Sequence, residues 1–221
     1  MNISADYFLE PFLWLSVITA IIVLIVAAYF SPWKALLQKS ERQHAFCAAW
    51  LSLVVMMLLQ ISWVDGVSIH FLMMTSLVVV FGWSLSVIIG ASAQLMLALW
   101  FDQLSLVLSV NFLLAVVVPA AVSYAIFRWI ILHKSKNLFV FLLGGGFFGS
   151  IATLLVSLLV LGLVLLVNQQ WSLLQTLYDK SLMVVLLSYS EGFLNGLIVT
   201  ALTVFFPSLV RTFDEKKYLD S

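Results

Sequence analysis

Charged residues are scarce in this sequence. Its 221 residues include only ten lysines and arginines and ten aspartates and glutamates, so the formal net charge is zero. Hydrophobic residues make up 64% of the chain, and the mean hydropathy is +1.17. This composition lies outside that of soluble globular proteins and within that of polytopic membrane proteins. We therefore expect an all-α bundle in a lipid bilayer, with no nucleic-acid partner.

Cysteine and catalytic motifs are also scarce. The single cysteine, Cys47, lies inside an apolar run, which excludes an intrachain disulfide and a cysteine-rich metal cage. The sequence has no GxSxG, HExxH or Walker motif and no pair of carboxylates within one apolar run. We expect a protein that is not an enzyme, holds no tightly bound cofactor and takes any ATP hydrolysis from partner subunits.

Six apolar runs are each long enough to cross a hydrocarbon core about 30 Å thick. They occupy roughly residues 12–30, 45–63, 71–100, 112–132, 138–167 and 182–206. Before the first run come Asp6 and Glu10 but no lysine or arginine, unlike the basic start of a signal peptide. We expect that run to remain as a membrane segment.

The basic residues predict which connections face the cytoplasm. Nine of the ten fall into three clusters, and cytoplasmic loops of membrane proteins carry an excess of lysine and arginine. The clusters are Lys34, Lys39 and Arg42; Arg128, Lys134 and Lys136; and Arg211, Lys216 and Lys217. The N-terminal tail, the connection around Asp65 and the connection around Asp102 carry only acidic residues and are expected outside, as is the charge-balanced connection 168–181.

The run from His70 to Trp100 must then begin and end on the same side of the membrane. Two full crossings need roughly 40 residues, whereas 30 residues give a helix of only about 45 Å. At least one limb is therefore short. We predict the break at Gly82-Trp83-Ser84, with Gly90-Ala91-Ser92 as the rival position, and a first limb that ends near mid-membrane depth. A single tilted helix over 71–100 is the alternative, but it puts basic clusters on the wrong side.

The sequence thus predicts seven membrane segments, with the N-terminus outside, the C-terminus cytoplasmic and a short or re-entrant third segment. Their approximate bounds are 12–30, 45–63, 71–82, 84–100, 112–132, 138–167 and 182–206. Short helices within a bundle are tolerated where protein buries them or where they line a cavity. The short limb after His70 therefore indicates a cavity near that residue.

A few polar residues within or beside the apolar runs are candidates for function. Glu191 is the only carboxylate in the body of a run and should face the bundle. Asn195 lies one helical turn later on the same face, so the two residues either line a substrate cavity or hold helices together. His70, with Met73 and Met74 about one turn below, suits either a transition-metal site or simple packing. Asn111 is expected to cap a helix or line a cavity.

Four segments occur in an order that resembles one known family. They are MNI followed by FLEP, then SIHFLMMTSLVVVFGWSLSVIIGASAQLMLALWF, then VNFLLAVVVPAAVSY, and finally SEGFLNGLIVTALTVFFP. Together they resemble the cobalt/nickel permeases of energy-coupling-factor ABC transporters, the CbiM/NikM type. The resemblance spans nearly the whole chain, and its most specific parts are the segments around His70 and Glu191.

That resemblance implies a substrate-capture subunit in the inner membrane that delivers Co(II) or Ni(II) to a transmembrane coupling subunit and two ATPases. In such proteins the ion is held by the N-terminal amine, the amide and imidazole of a histidine at position 2, and a histidine at the start of the third segment. Met1 and His70 match those positions, but Asn2 offers no imidazole. The implied metal ligands are therefore Met1, Asn2 and His70. Two alternatives remain: an organic substrate bound by Asn111, Glu191 and Asn195, or a helical scaffold that transports nothing.

Overall fold

Helices make up most of the chain in the computed structural model, which describes residues 2–133 and 137–213. The α-helices are α1 (Glu10–Phe30), α2 (Trp33–Leu37), α3 (Ser40–Leu58), α4 (Met74–Phe81), α5 (Trp83–Trp100), α6 (Val107–Phe112), α7 (Val118–Leu132), α8 (Gly149–Val167), α9 (Trp171–Asp179) and α10 (Ser181–Phe205). Two π-helical stretches, Leu113–Val117 and Val140–Phe148, run directly into α7 and α8.

Five helical stretches in the described part are long and apolar enough to cross a membrane. They are Glu10–Phe30, Trp83–Trp100, Val107–Leu132, Val140–Val167 and Ser181–Phe205. The prediction of a mostly helical chain with several helices able to cross a membrane is confirmed, by length and composition. α1 shows how its outer layer forms, because the helix buries mainly Leu13, Ser16, Ala20 and Ala27. These residues share one face at helical spacing, and many of the remaining apolar side chains, such as Ile18, Ile22 and Ile25, are exposed as a lipid-facing helix requires.

The expected helix over 45–63 is wrong at its C-terminal end. α3 ends at Leu58, and strands β2 (Ile61–Val64) and β3 (Val67–Ile69) follow as a hairpin. The Asp65-Gly66 turn between β-branched residues is a strong hairpin signal that the apolar-run argument did not use. Gly66 has φ 70°, and a Cβ there would lie 2.7 Å from Cε2 of Tyr7.

The N-terminus joins this hairpin as a third strand. β1 (Asn2–Ile3) pairs antiparallel with β3, and the strand order is β1-β3-β2. In this register Asn2 lies opposite Ser68, two residues before His70. The all-α expectation therefore misses a small sheet, and this sheet brings the N-terminal chain next to His70.

The predicted break of the third apolar run lies at Gly82. α4 ends at Phe81 and α5 begins at Trp83, so the single tilted helix over 71–100 does not form. Gly82 adopts φ 81°, a conformation that L side chains rarely take, and a Cβ there would lie 2.7 Å from Nη1 of Arg211. Glycine therefore provides both the turn and the room for a neighbouring arginine.

The short limb lies deeper in the bundle than the sequence predicts. We expected it to end near mid-depth, yet α4 begins beside Glu191, in the middle of α10, and ends beside Arg211, which follows α10. β3 and the connection that follows it are not helical, and strand-like chain covers about 3.3 Å per residue against about 1.5 Å in a helix. β3 and this connection thus advance the chain further along the bundle before α4 starts.

Small residues allow close packing between the last two long helices. Gly192 and Gly196 of α10 face the π-helical stretch before α8, where a Cβ on Gly192 would lie 3.2 Å from the carbonyl oxygen of Phe147. A Cβ on Gly146 would in turn lie 3.4 Å from Cα of Gly196. Gly192 and Gly196, which are spaced as GxxxG, therefore form a helix contact that fixes the face of α10 that carries Glu191.

Candidate metal-binding site

An open cleft of about 680 Å³ lies between the small sheet, the C-terminal half of α5 and α6. His70 and Asp102 both line it, so the run that begins with His70 returns to the same end of the bundle. Asn2 and Asn111 line it as well. The cleft therefore brings the predicted ligands Asn2 and His70 together with the candidate Asn111. Met1 lies outside the described residues.

His70 is buried at the cleft, with 7% of its surface exposed. It follows β3 directly, and its Nδ1 lies 2.9 Å from the carbonyl oxygen of Phe71. A ring nitrogen beside a carbonyl carries the proton, which leaves the lone pair of the neutral ring on Nε2. Burial lowers the pKa of His70 to about 3, so the ring is neutral at physiological pH. A neutral imidazole is the form that binds transition metals.

Asn111 fixes the N-terminal strand at the cleft. Its Oδ1 accepts a hydrogen bond of 2.9 Å from the backbone N–H of Ile3, and its Nδ2 donates to Asn2 Oδ1 at 2.7 Å. Asn111 lies within α6 and does not cap a helix, so of its two predicted roles the cavity position is the one observed. The Asn2 oxygen already accepts one hydrogen bond and has one lone pair left for an ion.

The cleft is lined by neutral donors more than by charges. Among the described residues that line it, Asp102 is the only carboxylate and His70 the only histidine. Across residues 2–133 and 137–213, no group of three or more His, Cys, Asp or Glu side chains gathers to hold a metal. An ion bound here would depend on imidazole, amide and backbone donors.

Glu191 lies outside the cleft and binds the chain that carries His70. Its Oε2 accepts from the backbone N–H of Leu72 at 3.0 Å, and its Oε1 accepts from that of Met73 at 2.8 Å. Met73 is in the left-handed conformation, with φ 56°, immediately before α4. A carboxylate at a helix N-terminus satisfies free N–H groups and complements the helix dipole, each effect contributing about 1 kcal/mol.

Asn195 completes this cap one turn further along α10. Its Oδ1 accepts from both the backbone N–H and the hydroxyl of Ser76, at 2.9 and 2.7 Å. Its Nδ2 donates to Glu191 Oε1 at 2.8 Å, which fixes the carboxylate. Glu191 and Asn195 are thus a cap supplied by one helix to another. Of their two predicted roles, holding helices together is the one the contacts support.

The two methionines after His70 are packing residues. Met73 and Met74 are both buried in the main hydrophobic cluster, and neither lines the cleft. The sequence analysis missed a different residue, Gln94 of α5. It lines the cleft, and its Oε1 is buried without a hydrogen-bond partner. Like Glu191, Gln94 is a polar side chain within an apolar run, and this pattern is the sequence signal that identifies it.

One family model matches the chain. It is CbiM, described as the cobalt uptake substrate-specific transmembrane region, and it covers residues 3–209. No curated protein matches the sequence. The matched region contains the hairpin, α4, α5, α6 and α10, and with them His70, Asn111 and Glu191, whereas Asn2 of β1 lies just before it. This chain belongs to the CbiM family of cobalt-uptake transmembrane proteins.

Proposed function

We propose that the protein is the substrate-capture subunit of an energy-coupling-factor ABC transporter and imports a divalent transition-metal cation of the cobalt or nickel type. It carries out no chemistry itself, and partner subunits hydrolyse the ATP. Membership of a cobalt-uptake family supports the metal cation as substrate. The single observation that carries the proposal is a buried histidine at an open cleft, beside the N-terminal strand.

The cation is held by Met1, Asn2 and His70 in this proposal. The pairing of Asn2 with Ser68 supports it, because the strand register holds the N-terminal chain near His70. Asn2 supplies an amide in place of an imidazole, so a square-planar site made only of nitrogens lacks one ligand. The remaining donors are therefore a mixture of nitrogen and oxygen atoms.

The membrane topology in this proposal has seven segments, the N-terminus outside and the C-terminus in the cytoplasm of a cell bounded by an inner membrane. α3 and α4 are the two segments beyond the five long apolar spans. His70 and Asp102 share the cleft at one end, whereas Gly82 lies beside Arg211. This separation of the acidic connection from a basic residue supports the orientation by the positive-inside rule.

The partners in this proposal are a transmembrane coupling subunit and two ATPases. The chain after α10 contacts the far end of α4: Arg211 N–H donates to the carbonyl oxygen of Val80 at 3.2 Å, and Thr212 N–H donates to that of Val79 at 3.3 Å. α4 is thus held at one end by the Glu191 cap and at the other by this segment. If a partner subunit moved the segment at Arg211 and Thr212, α4 would transmit that movement to the connection that carries His70.

The experiment is metal-dependent thermal stabilisation of the purified protein in detergent. Co(II) or Ni(II) should raise the melting temperature of the wild type, and His70→Ala should abolish the rise because the imidazole is lost. His44→Ala is the matched control, since His44 is exposed near the start of α3 and does not line the cleft. Absence of stabilisation by Co, Ni, Cu and Zn in the wild type would reject the proposal.

The two alternatives receive less support from the geometry. The organic-substrate alternative uses Asn111, Glu191 and Asn195. Asn111 lines the cleft, but Glu191 and Asn195 do not, because Glu191 accepts from the backbone before α4 and Asn195 from Ser76 of α4. A scaffold without a ligand was expected to have no cavity beside His70, whereas the cleft there measures about 680 Å³.

A further inference from the structure

Gln94 is a polar side chain in an otherwise apolar part of α5. It lines the cleft together with Leu97, Ala98 and Phe101, which follow it on the same helix face. Its position on a long apolar helix places an amide where the surroundings offer few partners. Buried polar groups in such helices are costly and mark ligand or ion pathways.

The amide oxygen of Gln94 is left without a partner. Three buried side-chain polar atoms in the described residues make no hydrogen bond: Trp63 Nε1, Gln94 Oε1 and Thr203 Oγ1. Of these three residues, only Gln94 lines the cleft. A buried acceptor without a donor lowers the stability of the folded protein, so a protein that retains one is expected to use it for a function. Binding of a ligand in the cleft would be such a function.

Two other amides of the cleft, Asn111 and Asn2, are each partly used by hydrogen bonds. The side-chain oxygen of Asn111 accepts a hydrogen bond from the backbone N–H of Ile3, and its nitrogen donates to Asn2 and to the carbonyl oxygen of Ile3. Asn2 Oδ1 accepts the bond from Asn111. Gln94 therefore differs from both in offering an oxygen with two lone pairs. The terminal torsion of a glutamine side chain is broad, so the amide can rotate to present this oxygen to the cleft.

We propose that Gln94 is an oxygen ligand of the transported cation and stands in for the imidazole that Asn2 does not provide. This inference rests on the proposed function. Imidazole nitrogen and amide oxygen together suit six-coordinate Co(II) or Ni(II) completed by water, whereas four nitrogens in a plane select Ni(II) or Cu(II). A neutral oxygen also binds less tightly than a carboxylate, which permits release of the ion to the transport path.

The test uses Co(II) as the probe and its visible absorption spectrum as the readout, on the full-length protein with a free N-terminus. Gln94→Leu should lower Co(II) affinity about tenfold or more, by analogy with the loss of groups that support metal ligands, and should change the spectrum. Gln94→Glu keeps the oxygen and should bind Co(II) at least as tightly as the wild type. Gln103→Leu is the matched control, because Gln103 lines the same cleft but is exposed.

A second readout needs no metal. Gln94→Leu removes an unpartnered acceptor from an apolar helix, so the metal-free variant should melt at the same temperature as the wild type or higher. A structural role for Gln94 predicts the opposite, a lower melting temperature with unchanged Co(II) binding. That result, or a wild-type affinity and spectrum in Gln94→Leu, would overturn the inference.

Two further outcomes keep the inference separate from the proposed function. If the wild type binds none of Co(II), Ni(II), Cu(II) and Zn(II), the proposed function itself is wrong. If Gln94→Leu does not fold, Gln94→Glu decides: retained Co(II) binding supports the oxygen ligand, and loss of binding in a folded Gln94→Glu protein contradicts it.

Discussion

At the residue scale, the cleft shows how a membrane protein can offer an ion a site without a buried charge. The buried imidazole of His70 is neutral, and Asn2, Gln94 and Asn111 are amides. Burial of an isolated, charged carboxylate deep in a bundle is unfavourable in free energy. The one buried carboxylate near the site, Glu191, accepts two backbone N–H groups and one amide N–H, so it does not face the cleft as a free charge.

Gly82 is the residue on which the fold of the short limb depends most directly. Gly82→Ala should destabilise the protein by about 1 kcal/mol or more, because φ 81° disfavours an L side chain. The new methyl group would also lie 2.7 Å from Nη1 of Arg211. The measurement is thermal or denaturant unfolding in detergent.

Gly162→Ala is the matched control for that variant. Gly162 lies inside α8, and a Cβ there would lie 3.7 Å from Cδ1 of Leu174, an ordinary contact. Alanine is favoured over glycine in helices by up to about 1 kcal/mol, so this variant should be as stable as the wild type or more so. Equal losses of stability in both variants would contradict the assigned role of Gly82.

At the element scale, α4 is a helix of 8 residues that its neighbours hold in place. An isolated helix this short is unstable in water, so partners outside it must satisfy its ends. Glu191 and Asn195 supply the N-terminal cap, Thr75 bonds to Ser123 at 2.8 Å, and the segment at Arg211 binds the C-terminal carbonyls. The connection that carries His70 is positioned by these contacts.

Glu191→Gln should weaken this cap while keeping its shape. Glutamine has one acceptor oxygen where the native carboxylate uses two, so its NH₂ group would face a backbone N–H of Leu72 or Met73. We expect a loss of about 1–3 kcal/mol in unfolding free energy and faster hydrogen exchange at these two amides. Amide exchange followed by mass spectrometry, together with thermal unfolding, measures both effects.

Ser188→Ala is the control for the Glu191 variant. Ser188 lies on the same helix, and its hydroxyl donates only to Val184 within α10. The change should therefore lower the unfolding free energy by less than Glu191→Gln does and leave exchange at Leu72 and Met73 unchanged. Unaltered exchange in Glu191→Gln would show that the carboxylate does not hold the connection.

The sequence predicts part of this arrangement and misses part of it for physical reasons. The break near Gly82 is predictable because it follows from two quantities that can be counted along the chain. These are the positions of the charged residues and the number of residues that a helix needs to cross the membrane. The pairing of β1 with β3 depends on contacts between residues more than 60 positions apart, which no local pattern reveals. The hairpin itself had a local signal at Asp65-Gly66, but it lay at the end of an apolar run that favoured a helix.

At the scale of the whole molecule, the third apolar run enters the bundle at one end and returns to it. The cleft holds His70 and Asp102, and the bend at Gly82 meets Arg211 on the far side of α4. α10 and the chain after it contact both ends of α4. In the proposed transporter, α4 therefore connects the ion site at one end to the segment that faces the cytoplasmic partners at the other.

The proposed orientation predicts which positions an impermeant thiol reagent can reach in intact cells. In a Cys47→Ala background, Asp102→Cys should react from outside, because Asp102 is exposed at the cleft. Gln38→Cys, also exposed but beside the first basic cluster, should react only after the membrane is permeabilised. The reverse pattern would invert the topology, and labelling of both in intact cells would place them on one side.

The most direct test of the central claim is native mass spectrometry with metal analysis on protein whose N-terminus is untagged. The account predicts one Co(II) or Ni(II) ion per chain in the wild type. It also predicts loss of that ion both in His70→Ala and in protein with a tag placed before Met1. Wild-type protein that retains no transition metal, or a bound ion that persists in His70→Ala, would contradict it.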